Sequence, residues 1–98
     1  MIFRRGRFAD TIARQLDLFA EGEEHGLLAE VQELDRRYRN ADRDEAEEAY
    51  GDYSDAVDAV IDALADMRDR FASTLDEPEE YERSFEDAAR KRWRWLSR

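Results

Sequence analysis

One apolar repeat in the second half of the chain limits its possible folds more than any other feature. Apolar residues recur there at spacings that alternate between four and three without a break, at Ala46, Tyr50, Tyr53, Val57, Val60, Leu64, Met67 and Phe71. This is the period of one face of an α-helix, whereas a half-buried strand alternates every second residue. Gly51 lies inside the repeat without shifting its phase. We therefore predict one continuous helix over about residues 44–75, which would be ~48 Å long.

Three shorter segments also show the helical period. The first is predicted over Ala9–Glu21 and the second over Leu27–Arg39, with a short turn at Gly22–Gly26 between them. A connection at Asn40–Asp44 precedes the long helix, because the apolar stripe loses its phase there. The last helix is predicted from Pro78 onward, since proline fits a first helical turn and the surrounding acidic residues favour a helix N-terminus.

These segments predict an all-α fold, a small antiparallel bundle of about four helices with one long central helix. A second stripe of small residues on the long helix predicts neighbours on two sides; it comprises Ala49, Ala56, Ala59 and Ala63. The 98 residues fit a single helical domain over residues 1–98. Because so short a chain hides a limited share of its surface on folding, we expect self-association as a homo-oligomer, most simply a dimer.

Composition excludes several classes of function. The chain has no cysteine, which excludes disulfides, thiolate zinc sites and cysteine nucleophiles, and His25 is its one histidine. Between residues 9 and 89 stand 26 acidic residues against 8 basic ones, so this body should repel nucleic acid and anionic membranes. No apolar run approaches the roughly 20 residues that span a bilayer. We expect a cytoplasmic protein without nucleic-acid or membrane partners.

Carboxylates on the second and third helices are the main candidates for chemistry. Glu30 and Glu33 are three residues apart on one helix, and Glu48 and Asp52 are four apart on the next. Residues at these spacings are neighbours on a helix surface. Carboxylates from two antiparallel helices suit Mg²⁺, which prefers oxygen ligands and often bridges to substrate phosphates. The alternative is a solvated face, since acidic pairs arise readily by chance in so acidic a chain.

The same residues carry a resemblance to a known family. Leu28–Leu34 followed by Glu47–Asp52 resembles the two helical motifs of the MazG-like all-α nucleoside triphosphate pyrophosphohydrolases. In that family a helix bearing Glu-Glu-x-x-Glu precedes one bearing Glu-x-x-Asp. The resemblance implies Mg²⁺ as the cofactor, with Glu30, Glu33 and Asp52 as metal ligands.

The chain departs from this family pattern at two positions. Ala29 replaces the first glutamate of the first motif, and Ala49 stands where the fourth ligand belongs. Glu48 is a possible substitute, but the phase of the long helix directs it away from the buried stripe. A hydrolase that loses a ligand usually loses metal affinity, so the resemblance also fits a relative without activity.

Other candidate groups have structural alternatives. The basic segment Arg90–Leu96 contains two tryptophans and could contact phosphates or stack on bases. Alternatively, Trp93 caps the bundle core while the arginines pair with the acidic body. His25 is expected in an exposed turn. The tyrosines are expected to pack in the core with their hydroxyls at the bundle edge; they are Tyr38, Tyr50, Tyr53 and Tyr81.

We predict that the protein acts through protein–protein contact, by self-association or with an unknown protein partner, and we expect no cofactor and no catalysis. The alternative is a MazG-like nucleoside triphosphate pyrophosphohydrolase, in which Mg²⁺ bound by Glu30, Glu33 and Asp52 holds the triphosphate while a water attacks phosphorus. Nucleic-acid contact through the basic C-terminal segment is a third hypothesis, which the acidic body disfavours.

Overall fold

The computed structural model describes residues 6–22 and 24–97. The regular structure of these residues is entirely helical, with four α-helices and a short 3-10 helix: α1 (Ala9–Glu21), α2 (His25–Asn40), α3 (Ala46–Ala72), α4 (Glu79–Arg92) and the 3-10 helix Arg94–Leu96. The predicted fold class, a small all-α bundle of about four helices, is confirmed. No helix in this described part of the chain is long and apolar enough to cross a membrane.

The long helix predicted from the apolar repeat is α3. It has 27 residues and passes through Gly51 without interruption, so its predicted continuity is confirmed. It begins at Ala46 rather than residue 44. In the turn before it, the Asp42 carboxylate accepts a hydrogen bond from the backbone N–H of Glu45 at 3.2 Å. An aspartate that bonds to nearby backbone stabilises a turn in competition with a helix.

The C-terminal end of α3 is also set by side chains that bond to the backbone. The helix ends at Ala72, three residues before the predicted end. The hydroxyl of Ser73 donates to the carbonyl of Arg70 at 2.8 Å, and the hydroxyl of Thr74 donates to the carbonyl of Phe71 at 2.7 Å. These bonds satisfy carbonyls that would otherwise accept from a further helical turn.

The other helices lie close to their predicted positions. The bounds of α1 match the prediction, whereas α2 begins two residues early, at His25. Pro78 immediately precedes α4, and three glutamates occupy the first turn of that helix. Arg90, Lys91 and Arg92 fill its last turn, so both ends of α4 complement the helix dipole.

The chain forms two compact units, and each is described separately below. Unit 1 comprises Met1–Leu18 and Ala65–Arg98, and unit 2 comprises Phe19–Leu64. The boundaries between the units fall inside α1 and α3.

Tyr81 is at the centre of the core of unit 1 and is fully buried. Its ring contacts Phe8 edge-on at 5.4 Å between centroids, Phe71 at 4.8 Å and Phe85 at 5.9 Å. Its hydroxyl donates to the Oε1 atom of Gln15 at 2.8 Å. The buried apolar residues of this unit are Phe8, Ile12, Leu16, Ala72, Tyr81, Phe85 and Ala89. One aromatic side chain of α4 therefore links α1, the end of α3 and α4 itself.

The core of unit 2 corrects one detail of the predicted stripe on α3. The predicted stripe included Tyr50, but Tyr50 is 43% exposed and the preceding Ala49 is buried. Consecutive residues are about 100° apart around a helix, so the buried face near the start of α3 is displaced by part of a turn. The small-residue stripe is buried only in part, because Ala59 is exposed. The buried residues of unit 2 are Phe19, Val31, Ala49, Ala56, Val57, Val60 and Leu64.

Replacing Gly51 by alanine is expected to stabilise the protein. A Cβ atom built at Gly51 meets nothing within 4 Å outside its own helix. Alanine also loses less conformational entropy than glycine in a helix interior, so we expect the free energy of unfolding to rise by about 0.5–1 kcal/mol. Urea denaturation followed by circular dichroism measures this change.

The matched control is Gly26→Ala. A Cβ at Gly26 is equally unobstructed, but this glycine is the second residue of α2, where a helix end frays. We therefore expect a smaller gain from this change. A loss of stability in Gly51→Ala would contradict the continuous helix.

Candidate functional site

The predicted metal ligands Glu30 and Glu33 lie on α2, and Asp52 lies on α3. The Glu33 carboxylate forms an ion pair with Arg36, one turn further along α2. An Asp52 oxygen, Oδ2, lies 2.9 Å from Nη1 of Arg37. Two of the three predicted ligands are therefore already paired with an arginine next to them, which reduces the negative charge available to a cation.

An open pocket in unit 2 brings two of these three carboxylates together. Its lining residues are Glu30, Leu34, Arg37, Asp52, Asp55, Ala56 and Ala59, so Glu30 and Asp52 share it while Glu33 is outside. No group of three or more histidine, cysteine, aspartate or glutamate side chains in the described residues could hold a metal ion. The ligand set of Glu30, Glu33 and Asp52 stays a prediction, and the Arg37 guanidinium in the same pocket opposes a cation there.

The two remaining positions of the second motif differ in burial on α3. Ala49, at the position of the fourth ligand, is only 1% exposed and packs in the core of unit 2. Glu48 is exposed, as its phase predicted. A carboxylate in place of Ala49 would be desolvated by this core, which is unfavourable without a bound cation.

Three tyrosines form a cluster on unit 2 that the sequence analysis placed in the core. The centroid of the Tyr38 ring lies 5.3 Å from that of Tyr50 and 6.4 Å from that of Tyr53. The Tyr50 and Tyr53 centroids are 6.5 Å apart. Tyr38 and Tyr50 are 38% and 43% exposed. The rings therefore pack on one another while two of them present large apolar areas to solvent.

Ile61 is a further exposed apolar residue on the same side of α3 as Tyr50. It is 43% exposed and lies eleven residues after Tyr50, which is about three helical turns and roughly 16 Å along the same side of the helix. We name this surface of unit 2 the aromatic face and define it as Tyr38, Tyr50, Tyr53 and Ile61. Its sequence signal was the pairing of Tyr50 with Tyr53 at helical spacing, with Tyr38 just before a short connection.

The basic segment Arg90–Leu96 is attached to unit 1 by ion pairs. Nη1 of Arg92 lies 2.6 Å from Oδ1 of Asp17, and Nη2 of Arg90 lies 3.0 Å from Oδ1 of Asp87. Two arginines of the segment therefore pair with acidic residues, as the structural alternative expected. The Arg92 guanidinium also lies 5.2 Å from the centroid of the Trp93 ring, within the range of a cation–π contact. Trp93 is half-buried at the C-terminal cap of α4.

His25 is exposed, as predicted, and is the first residue of α2. Its Nδ1 atom lies 3.1 Å from the backbone carbonyl oxygen of Ala20, near the end of α1. This contact can satisfy a helix-terminal carbonyl and holds the turn between the two helices.

Two groups of unit 1 have raised pKa values: hydrogen bonding and ion pairing raise that of Arg68, and burial raises that of Tyr81. A hydrogen bond to Asp69 raises the pKa of Arg68, and the charges of Asp69 and Glu86 add to the effect. Burial raises the pKa of the Tyr81 phenol, while the hydrogen bond with Gln15 acts in the opposite direction. Shifted pKa values also mark catalytic groups, but here each shift has a structural cause. Both side chains join elements of unit 1, and we assign them structural roles.

Comparison with known proteins finds no matching family model, curated protein or solved structure. The resemblance to MazG-like hydrolases therefore rests on the two sequence motifs.

Tyr81→Phe should reduce the loss of stability at alkaline pH. Burial raises the pKa of Tyr81 in the folded protein, so the unfolded chain ionises first, near pH 10. The stabilisation from the neutral phenol is present below that pH and is lost as pH rises through the folded pKa. Denaturation midpoints of the wild type and the variant should therefore converge as the pH rises above about 10.

Below that pH the variant should be about 1 kcal/mol less stable, because it lacks the hydrogen bond to Gln15. Two stability curves that stay parallel up to pH 11 would show that Tyr81 is not protected from ionisation in the fold.

Proposed function

We propose that this protein acts through protein–protein contact, chiefly by self-association, and that it carries out no catalysis. The observation that supports this most is the aromatic face of unit 2. Its large apolar side chains are more than one third exposed at Tyr38, Tyr50 and Ile61. Tyrosine is enriched at protein interfaces and in their hot spots, because its ring offers a large contact area and its hydroxyl tolerates water.

The packing within the aromatic face favours binding. The three rings already contact one another, so a partner would immobilise side chains that have little freedom left to lose. Ordering of interface side chains otherwise opposes association by about 0.5–1.5 kcal/mol for each flexible side chain. A single exposed apolar residue is ordinary on a protein surface, whereas a cluster of exposed rings in mutual contact, as at Tyr38 and Tyr50, calls for an explanation.

The chain length supports the same proposal. A chain of 98 residues hides a smaller share of its surface than a larger domain does, and association is a common way to add buried area. We further propose that the protein resides in the cytoplasm, since a chain without cysteine has no disulfide that would require an oxidising compartment.

A second candidate function is a MazG-like pyrophosphohydrolase. The observation that favours it is the pocket that two of its three predicted ligands, Glu30 and Asp52, share, because oxygen ligands from two helices suit Mg²⁺. In this alternative the carboxylates would hold Mg²⁺, which would bind the triphosphate and stabilise the charge that develops as water attacks phosphorus. The pairing of Asp52 with Arg37 and the separate pairing of Glu33 make it the weaker proposal.

Self-association predicts a mass that depends on concentration. Light scattering coupled to size-exclusion chromatography should give a mass above the 11.6 kDa of one chain at micromolar concentration. A variant with Tyr50→Ser and Ile61→Ser should dissociate at a higher protein concentration than the wild type, because it lacks the most exposed side chains of the aromatic face. Its matched control is Leu18→Ser, which removes an exposed leucine of unit 1. A wild-type mass of one chain throughout the micromolar range would refute self-association.

The two candidate functions differ in their response to Mg²⁺. If the protein acts by contact, Mg²⁺ and Ca²⁺ should shift the melting temperature equally, because neither binds the folded state specifically. We expect that outcome, together with no release of pyrophosphate from any nucleoside triphosphate. Turnover that is abolished by Glu30→Gln or Asp52→Asn, but retained in the exposed control Asp62→Asn, would establish the hydrolase instead.

A further inference from the structure

Charge is distributed unequally between the two units. Unit 2, Phe19–Leu64, has 15 acidic and 4 basic residues, a net charge of −11. Unit 1 has 11 acidic and 12 basic residues, a net charge of +1. Two copies that met through their aromatic faces would bring two strongly acidic surfaces together, which is unfavourable at low salt. A cationic occupant would be attracted to the same face.

The acidic charge also lies beside the exposed apolar residues themselves. Glu47 and Asp58 are each three residues before Tyr50 and Ile61 respectively, and both acidic residues are exposed. Residues three apart are neighbours on a helix surface. The aromatic face therefore repeats one arrangement, a large apolar side chain with a carboxylate next to it, about three turns apart along α3.

The basic segment of unit 1 has the complementary pattern. Arg90–Leu96 contains four basic residues and no acidic one, and each of its tryptophans follows an arginine. Lys91 and Arg94 are exposed, and Trp95 is half-buried. Arginine and tryptophan are the side chains that most often dominate the energy of protein interfaces, and arginine stacks favourably on aromatic rings.

We propose that the basic segment of one copy docks on the aromatic face of a second copy. This inference rests on the proposed self-association and names the two surfaces that meet. Arginine and lysine side chains of the segment pair with Glu47 and Asp58 of the second copy. A tryptophan of the segment packs against the tyrosine rings of that copy's aromatic face. The present partners of the segment do not prevent this, because Arg90 and Arg92 are held by exposed ion pairs, and such pairs add little stability and exchange readily.

Such a contact joins two different surfaces, so a pair of copies forms it either once, as a heterologous contact, or twice about a two-fold axis. Each copy offers one aromatic face and one basic segment, and either a closed ring or an open chain follows according to the rotation between neighbours. A heterologous contact also makes a distinctive prediction about mixtures, because a copy without its segment still offers an intact face.

The experiment uses two full-length variants. The face variant carries Tyr50→Ser and Ile61→Ser, and the segment variant carries Lys91→Glu and Arg94→Glu. Controls that match them in chemistry are Leu18→Ser for the loss of an exposed apolar group, and Arg70→Glu with Arg83→Glu for the change in charge. All five residues outside the face are exposed. Circular dichroism and thermal denaturation establish that each variant is folded before its mass is compared.

We expect each variant alone to self-associate at least about tenfold more weakly than the wild type. An equimolar mixture of the two should form a heterodimer, since the segment of the face variant binds the face of the segment variant. Both controls should behave as the wild type. Raising the salt concentration from about 0.05 to about 0.5 M should weaken wild-type association, because it screens the charges.

Three results would overturn the inference in different ways. A segment variant that associates like the wild type, beside a weakened face variant, would show that faces meet one another. Two weakened variants that stay apart when mixed would exclude the heterologous contact. A wild type that is monomeric at every concentration would refute the proposed self-association as well, whereas the first two results leave it standing.

Discussion

Both compact units depend on the apolar side of one helix, α3. It contributes Ala49, Val57, Val60 and Leu64 to the core of unit 2 and Ala72 to the core of unit 1. Helix formation is cooperative, and in proteins most helical stability comes from the packing of an amphipathic face. A break inside α3 would therefore remove core side chains from both units, and the packing of this helix on both sides of Gly51 compensates for the low helix propensity of glycine.

The helical period of α3 was predictable because it reflects many residues at once. Which face of the helix is buried, and where the helix begins and ends, depend instead on individual contacts. The repeat from Ala46 to Phe71 specified a continuous helix, but its stripe included Tyr50 where the structure buries Ala49. Alanine is only weakly apolar, so the sequence pattern alone does not show that it is more deeply buried than the tyrosine next to it. The ends of α3 depend on hydrogen bonds from side chains such as Asp42 and Ser73, which no periodicity contains.

The candidate site was predictable as a set of helix positions and not as a set of distances. Spacing placed Glu30 and Asp52 on facing helices, and they do share a pocket. The same spacing could not show that Arg36 and Arg37 pair with Glu33 and Asp52. In a chain with so many acidic residues, each arginine has several acidic residues within reach. The side-chain conformations determine which of them it pairs with. The aromatic face was not predicted from the sequence for the same reason that Tyr50 was placed in the core. A tyrosine has the same helical spacing whether it lies at the exposed edge or at the centre of an apolar stripe.

The placement of aromatic residues gives each unit its own optical signal. Both tryptophans, Trp93 and Trp95, belong to unit 1, whereas three of the four tyrosines belong to unit 2. Tryptophan emission excited at the red edge of absorption therefore follows the surroundings of unit 1, and tyrosine absorbance is weighted toward unit 2. Unfolding curves from the two signals coincide only if the molecule unfolds as one cooperative system. The native sequence thus provides a test of whether α3 couples the two halves energetically, without any added label.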